Sequence, residues 1–143
     1  TSMEIKAMYK VIGELESLGD SGEAISRILS RRNIHNKTFD VDSIKKLNQM
    51  VDLVEQAYDV MIDNLEAAFY GKLEEISNAY AAEDHINTLR NNLRDEAIER
   101  LDSNEKTYQS SVYFMDIVSE LERMGDFMIN ISQSLQRGYS IAK

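Results

Sequence analysis

A chain of 143 residues with 43% apolar content has the size of one domain and can bury a core without staples. It has no cysteine, which excludes disulfides, thiolate metal sites and thiol nucleophiles, and no proline, which leaves almost nothing to forbid helix. Acidic residues outnumber basic ones by 25 to 16 and give a net charge of −9, a surface that repels phosphate backbones and anionic lipid headgroups, so neither nucleic acid nor a membrane surface is an expected partner.

The abundant Leu, Glu, Ala, Lys and Arg are strong helix formers, and four helical patterns can be traced in chain order. The first, helix A over about 2–31, places Met8, Ile12, Leu15, Gly19, Gly22, Ser26 and Leu29 at alternating spacings of four and three on one face. Residues 32–40 break the pattern and read as the longest loop, with Asp40 as the N-cap of the next helix. Helix B, about 41–71, carries two stripes, Ile44, Leu47, Val51, Val54, Tyr58, Met61, Leu65 and Ala68 beside Met50, Leu53, Ala57 and Val60, and two stripes predict two neighbours. Gly71 is its stop signal. Helix C, about 73–101, offers Ala79, Ala82, Ile86, Leu89, Leu93, Ala97 and Leu101 to a core, and Asp102-Ser103-Asn104 turns the chain. Helix D, about 105–137, carries Ile117, Val118, Leu121, Met124, Met128, Ile131 and Leu135, with Gly138 placed as a C-terminal cap. The expected fold is all-α: a single domain over residues 1–143 formed as an elongated up-down four-helix bundle.

Helices A and D share more than a rhythm. Glu14-Leu15-Glu16-Ser17-Leu18-Gly19-Asp20 repeats as Glu120-Leu121-Glu122-Arg123-Met124-Gly125-Asp126, and the match extends to Ile25-Ser26 against Ile131-Ser132 and Leu29 against Leu135. Amphipathic helices share leucines by chance, but a glycine inside a helix costs about 1 kcal/mol relative to alanine. The same glycine placed twice points to a close helix approach or to room for a bound group. Glu16 and Asp20, like Glu122 and Asp126, stand four residues apart on one helical face. If A and D are antiparallel neighbours, the four carboxylates fall at one level and must bind a cation, share protons or fan into water. An oxygen-only ligand set on a flank suits Mg²⁺, Ca²⁺, Mn²⁺ or iron better than zinc or copper, while solvated helix edges are the plain alternative. Asn130 lies one turn beyond Asp126, but its counterpart in helix A is Ala24. His85, in Glu83-Asp84-His85-Ile86-Asn87, lacks the Glu-x-x-His spacing of a di-iron bundle because Ala82 precedes it by three residues. No Gly-rich phosphate loop and no nucleophile–base spacing is present, so an enzyme is not expected.

The doubled Glu-Leu-Glu-x-(Leu/Met)-Gly-Asp, followed by Ile-Ser-x-x-Leu, resembles the signature third helix of the PhoU family, whose members are built from repeated three-helix units. Helices B, C and D then look like one such unit, with Glu83 to Asn87 similar to the acidic stretch of its second helix, and helix A looks like the last helix of a preceding unit. The arrangement is most similar to the cytoplasmic C-terminal tail of bacterial sodium/phosphate cotransporters. That resemblance implies a non-enzymatic regulatory domain in phosphate uptake, in the cytoplasm and belonging to an inner-membrane protein. Its partner would be a phosphate-transporter membrane domain, attached or separate, and a homo-oligomer is compatible with it. It also implies metal ions, iron, zinc, magnesium or manganese, held at Glu16, Asp20, Glu122 and Asp126; Ala24 and Asn130 on the next turn depart from those family motifs that carry further acidic neighbours for a multinuclear cluster. The alternatives are a structural or oligomerising helical bundle, and a free-standing PhoU-like phosphate-signalling protein without metal. The start at Thr1-Ser2-Met3, already inside a helical pattern, is compatible with a segment of a longer protein.

Overall fold

A computed structural model describes residues 1–34, 39–100 and 105–141. These form four helices, α1 (Ser2–Ile34), α2 (Val41–Phe69), α3 (Ser77–Glu99) and α4 (Glu105–Tyr139), and no strand occurs among the described residues. The fold is an all-α bundle.

Local chemistry sets the helix ends. The Thr1 hydroxyl accepts from the Glu4 backbone N–H at 3.2 Å, and Asp40 caps α2 by accepting from the Ser43 N–H at 2.7 Å. At the other end of α2, Gly71 adopts φ +69°, its N–H reaches the Ala68 carbonyl at 3.1 Å, and Lys72 N–H reaches the Ala67 carbonyl at 2.7 Å. This pair of bonds satisfies the last carbonyls and turns the chain sharply. The chain then crosses the bundle end without helical structure, burying Leu73 and Ile76, so α3 begins at Ser77 rather than near residue 73. The connector is fastened to the end of α4, because the Leu73 carbonyl accepts from Ile141 N–H at 3.0 Å and the Glu74 carbonyl accepts from the Ser140 hydroxyl at 3.2 Å. Residues 35–38 and the turn at 102–104 lie outside the described residues, as does Leu101.

The helix directions alternate. Asn64 of α2 pairs with Asn78 of α3, and Lys46 near the start of α2 meets Glu96 near the end of α3. Likewise Tyr80 meets Gln133 and Arg90 meets Glu122 between α3 and α4, and Glu4 meets Tyr139 between α1 and α4. Helix α4 is central and packs on all three others, whereas α1 packs on α4 alone among the described helices. The molecule is thus a three-helix core, α2 to α4, with α1 laid along the outside of α4.

The core is filled by Met50, Met61, Ile86, Val118, Ile131 and Leu135, all essentially inaccessible. In α2 the buried line runs through Met50, Val54, Ala57, Met61, Asn64 and Ala68, combining parts of both sequence stripes, while Ile44, Val51 and Tyr58 are exposed. Asn64 is tolerated there because it forms reciprocal amide bonds with Asn78, each 3.1 Å, and donates to the Ser132 hydroxyl at 3.1 Å. This small polar network ties α2, α3 and α4 at one height.

Helix α1 departs from expectation in which face it buries. Ala7, Val11, Ser21 and Ile28 face α4, with Leu18 and Ile25 packed beside them, whereas Met8, Ile12, Leu15 and Leu29 stay exposed. The helix carries two stripes one position apart, and only one has a neighbour. Gly138 also differs from its expected role as a cap. It lies inside the last turn of α4, where an added Cβ would stand 2.5 Å from the Ala7 Cβ and 3.2 Å from the Met3 carbonyl oxygen. Its glycine lets α1 approach.

Candidate carboxylate site

Three contacts set the α1–α4 register. Tyr139 Oη donates to the Glu4 carbonyl at 3.0 Å, Asn130 Nδ2 donates to Glu14 Oε2 at 3.4 Å, and Gly138 lies against Ala7. Extended along both helices, this register brings Glu16-Asp20 and Glu122-Asp126 to the same height. Height is shared, but direction is not. Glu16 and Asp20 point from the exposed side of α1, while Glu122 and Asp126 are half-buried and face the groove between α4 and α3. The two pairs therefore form separate sites, and among the described residues no group of three or more His, Asp or Glu side chains is arranged to hold a metal ion.

The pair on α4 acquires neighbours from α3. Arg90 reaches across to Glu122 with a 2.8 Å ion pair in which both side chains are largely covered. Glu83, two turns before Arg90 on the same face, adds its charge to the surroundings of Asp126 and accepts from Asn87 Nδ2 at 3.3 Å. Burial pushes the Asp126 carboxyl up from its ordinary 3.8 to about 6; the charges of Glu122 and Glu83 and a hydrogen bond with Glu122 add to the rise, and Arg90 opposes it. Arg90 thus serves Glu122 and Asp126, while Glu83 adds a third negative charge beside Asp126. The Arg90 Nε is buried and has no hydrogen-bond partner among the described residues, so one donor of the guanidinium is left unsatisfied.

Gly125 explains the intimacy of this groove. A Cβ at that position would stand 2.9 Å from Ile86 Cδ1 and 3.5 Å from its Cγ2, so the glycine sets α3 against α4 and brings Glu83 and Arg90 within reach of the motif. Its counterpart Gly19 has nothing within 4 Å. The same motif is therefore used in α4 as a helix-packing and charge-pairing device, and in α1 it lies open.

The remaining candidates have simpler places. His85 is exposed beside Asp52 and Gln49 in a shallow groove between α2 and α3. Asn130 serves the α1–α4 contact through Glu14. Arg90 and Glu83 lie outside the repeated motif and so were not marked by it, yet a signal was present: Glu83, Asn87 and Arg90 fall at i, i+4 and i+7, one polar stripe facing whichever helix packs on Ile86.

No helix of the described residues is long and apolar enough to cross a membrane. No curated protein and no solved structure matches the chain. The PhoU domain model does match, over residues 47–135, a span that starts within α2, includes all of α3 and the α4 copy of the motif, and ends within α4. That span covers more than half of the chain, and the protein belongs to the PhoU family.

Proposed function

We propose that this domain is a non-enzymatic regulator of phosphate uptake, acting as the cytoplasmic part of a sodium-dependent phosphate cotransporter. The observation that carries this reading is the PhoU match across α2 to α4, which takes in the motif groove on α4. The chemistry agrees with a relay rather than a catalyst. The groove holds acidic groups and one arginine, with neither a nucleophile paired to a base nor a loop that cradles phosphate. Regulation would pass through the position of α3 on α4, since Gly125 and Ile86 make that contact close and the carboxylates beside it leave it electrostatically loaded.

In this reading Glu16 with Asp20, and Glu122 with Asp126, are two separate cation sites. Each pair supplies two oxygen donors, a set suited to magnesium, manganese or iron, with zinc less well served by oxygen alone. At the α4 site a cation would take over from Arg90 the compensation of Glu122 and Asp126. Metal content of protein purified without chelator tests the assignment: Asp20→Asn and Asp126→Asn should each remove part of the bound metal, and both together should remove all. Complete loss from either change alone would show one shared centre, and unchanged content in the double variant would refute the sites. The regulatory role is tested in cells by deleting residues 47–135 and following phosphate uptake under phosphate-rich and phosphate-poor growth. Uptake that no longer responds to supply is the expected result; an undiminished response would count against it.

A further inference from the structure

Two stripes of the bundle lack a neighbour, and they face one another. On α1, Met8, Leu15, Gly22 and Leu29 recur every seven residues, and on α2, Ile44, Val51, Tyr58 and Leu65 do the same, so each set follows one side of its helix. At one end of the bundle the two sides share a cavity of about 780 Å³, which Met8 lines from α1, Leu65 and Phe69 from α2, and Leu135 and Tyr139 from α4. Helix α1 runs antiparallel to α4, since Glu4 meets Tyr139 and Glu14 meets Asn130. Helix α2 runs parallel to α4, since Phe39 just before it meets Phe114 and Asn64 meets Ser132. The stripes therefore stay opposed along the bundle, with Leu15 across from Tyr58, Gly22 from Val51 and Leu29 from Ile44. Yet α1 does not pack on α2, and Leu15 and Tyr58 remain 43% and 48% exposed, too open for walls that close on each other. Between them lies an apolar groove floored by α4, about 30 Å long at 1.5 Å per residue.

We infer that this groove binds an amphipathic helix of a partner protein, one whose apolar stripe is flanked by Lys or Arg. The internal repeat supports a helix as occupant, because the α4 counterparts of Leu15, Gly22 and Leu29, which are Leu121, Met128 and Leu135, are buried in the helical core that α4 forms with α2 and α3. Charge supports a basic one. Between Lys46 and Lys72 the chain has no Lys or Arg, while Asp52, Glu55, Asp59, Asp63 and Glu66 are exposed and none of them forms an ion pair among the described residues. Ala57 and Asn64, one position before Tyr58 and Leu65, are buried, so Asp59 and Glu66, one position after, lie on the outer rim of the groove. The bases of α1 leave that rim unanswered: Lys6 and Lys10 lie on the other side of the helix beside Ser134 and Arg137, and Arg27 pairs with Glu23. A second copy of this chain fits poorly, because its net charge of −9 brings like charge to the rim. Midway along the groove Gly19 and Gly22 have nothing within 4 Å, which leaves room for a bulky side chain of the partner.

Fluorescence anisotropy of a labelled synthetic peptide tests the proposal, using a helix of about 21 residues, long enough to fill the groove, with Leu along one stripe and Lys on its flanks. The expected result is one peptide bound per chain, weakened by salt, and no binding of the same peptide with Glu in place of Lys. Leu15→Gln with Tyr58→Gln removes apolar wall without changing charge, at positions already exposed, and should weaken binding about ten-fold or more while the helical circular dichroism is unchanged. Glu55→Gln, Asp59→Asn and Glu66→Gln together should weaken it by a similar factor and flatten its salt dependence, whereas Asp84→Asn, Asp95→Asn and Glu99→Gln on exposed positions of α3 should leave it nearly unchanged. No binding, binding indifferent to the Leu15 and Tyr58 changes, or equal losses from the two sets of acid substitutions overturns the inference. So does self-association of the chain that shuts the peptide out, since the groove then belongs to a second copy. None of these outcomes bears on the regulatory reading above, which rests on the family match and the α3–α4 groove.

Discussion

At Asp126 the folded and unfolded chains hold a proton with different strength, and the sign of that difference makes a prediction. The carboxyl is raised from 3.8 to about 6 in the fold, so between those values the folded protein binds more protons than the unfolded chain, and stability falls as pH rises through that window. The full penalty is present at pH 7. The gap sets an upper limit of about 3 kcal/mol, which solvent screening at this half-buried position reduces to about 1–2 kcal/mol. Asp126→Asn should therefore raise the thermal midpoint at pH 7 to 8 and lose that advantage near pH 4, where the aspartate is already protonated. A variant that is no more stable than the parent at neutral pH would show that Arg90 compensates the charge fully. The same reasoning makes Arg90→Met destabilising at pH 7, by about 1–3 kcal/mol, because Glu122 and Asp126 then lose their shared cation. Urea unfolding at pH 7 reads that loss directly, and Asp126→Asn in the same chain should recover part of it.

Among the helices, the two motif glycines separate helix propensity from packing. Gly19→Ala adds a methyl group where nothing stands within 4 Å, so the change gains helix propensity and should stabilise by about 0.5–1 kcal/mol. Gly125→Ala gains the same propensity, but its Cβ would stand 2.9 Å from the end of a fully buried Ile86, and a side chain held in a core cannot swing away freely. The expectation is net destabilisation of about 1 kcal/mol, with the helical content unchanged and the α3–α4 groove wedged apart. Equal effects of the two substitutions in denaturant titrations would mean that the α3–α4 approach carries no strain. Gly138→Ala attacks the other face of α4, where the Ala7 Cβ and the Met3 carbonyl leave no room, and should loosen the N-terminal half of α1. Hydrogen exchange would report it as lost protection confined to the first turns of α1, while α2 and α3 keep theirs.

Taken as a whole, the molecule carries acids shifted in both directions, and they act at different pH. Asp40 is held below its ordinary value by the Ser43 backbone N–H and hydroxyl, and Asp42 by its bonds to Lys46 and Arg100, so both contribute stability at neutral pH that is lost as pH falls below about 4. Asp126 works the opposite way, between about 4 and 6. Thermal melts at constant ionic strength should therefore peak near pH 4 rather than at neutrality, and Asp126→Asn should flatten the alkaline side of that peak without moving the acid limb. A parent protein whose stability is level from pH 5 to 7.5 would contradict the assignment.

Sequence alone determined what depends on spacing along one helix. The absence of proline, the apolar rhythms, Asp40 as a cap and Gly71 as a stop specify helices and several of their ends, because these are interactions among residues within a turn of one another. The doubled motif was legible for the same reason, and so was the PhoU resemblance. What spacing could not decide is which stripe of a two-striped helix meets a neighbour. In α1 the line through Met8, Ile12 and Leu15 is more apolar than the one through Ala7, Val11 and Ser21, yet the smaller residues are buried, because Ala7 and Gly138 together allow the closer approach to α4. Nor could it assign partners to the carboxylates. Glu122 and Asp126 face α3 rather than Glu16 and Asp20, since rotation about the helix axis is fixed by packing Gly125 on Ile86, a contact between residues 39 positions apart. Tertiary packing thus turned one repeated sequence into two different environments, a closed groove on α4 and an open face on α1.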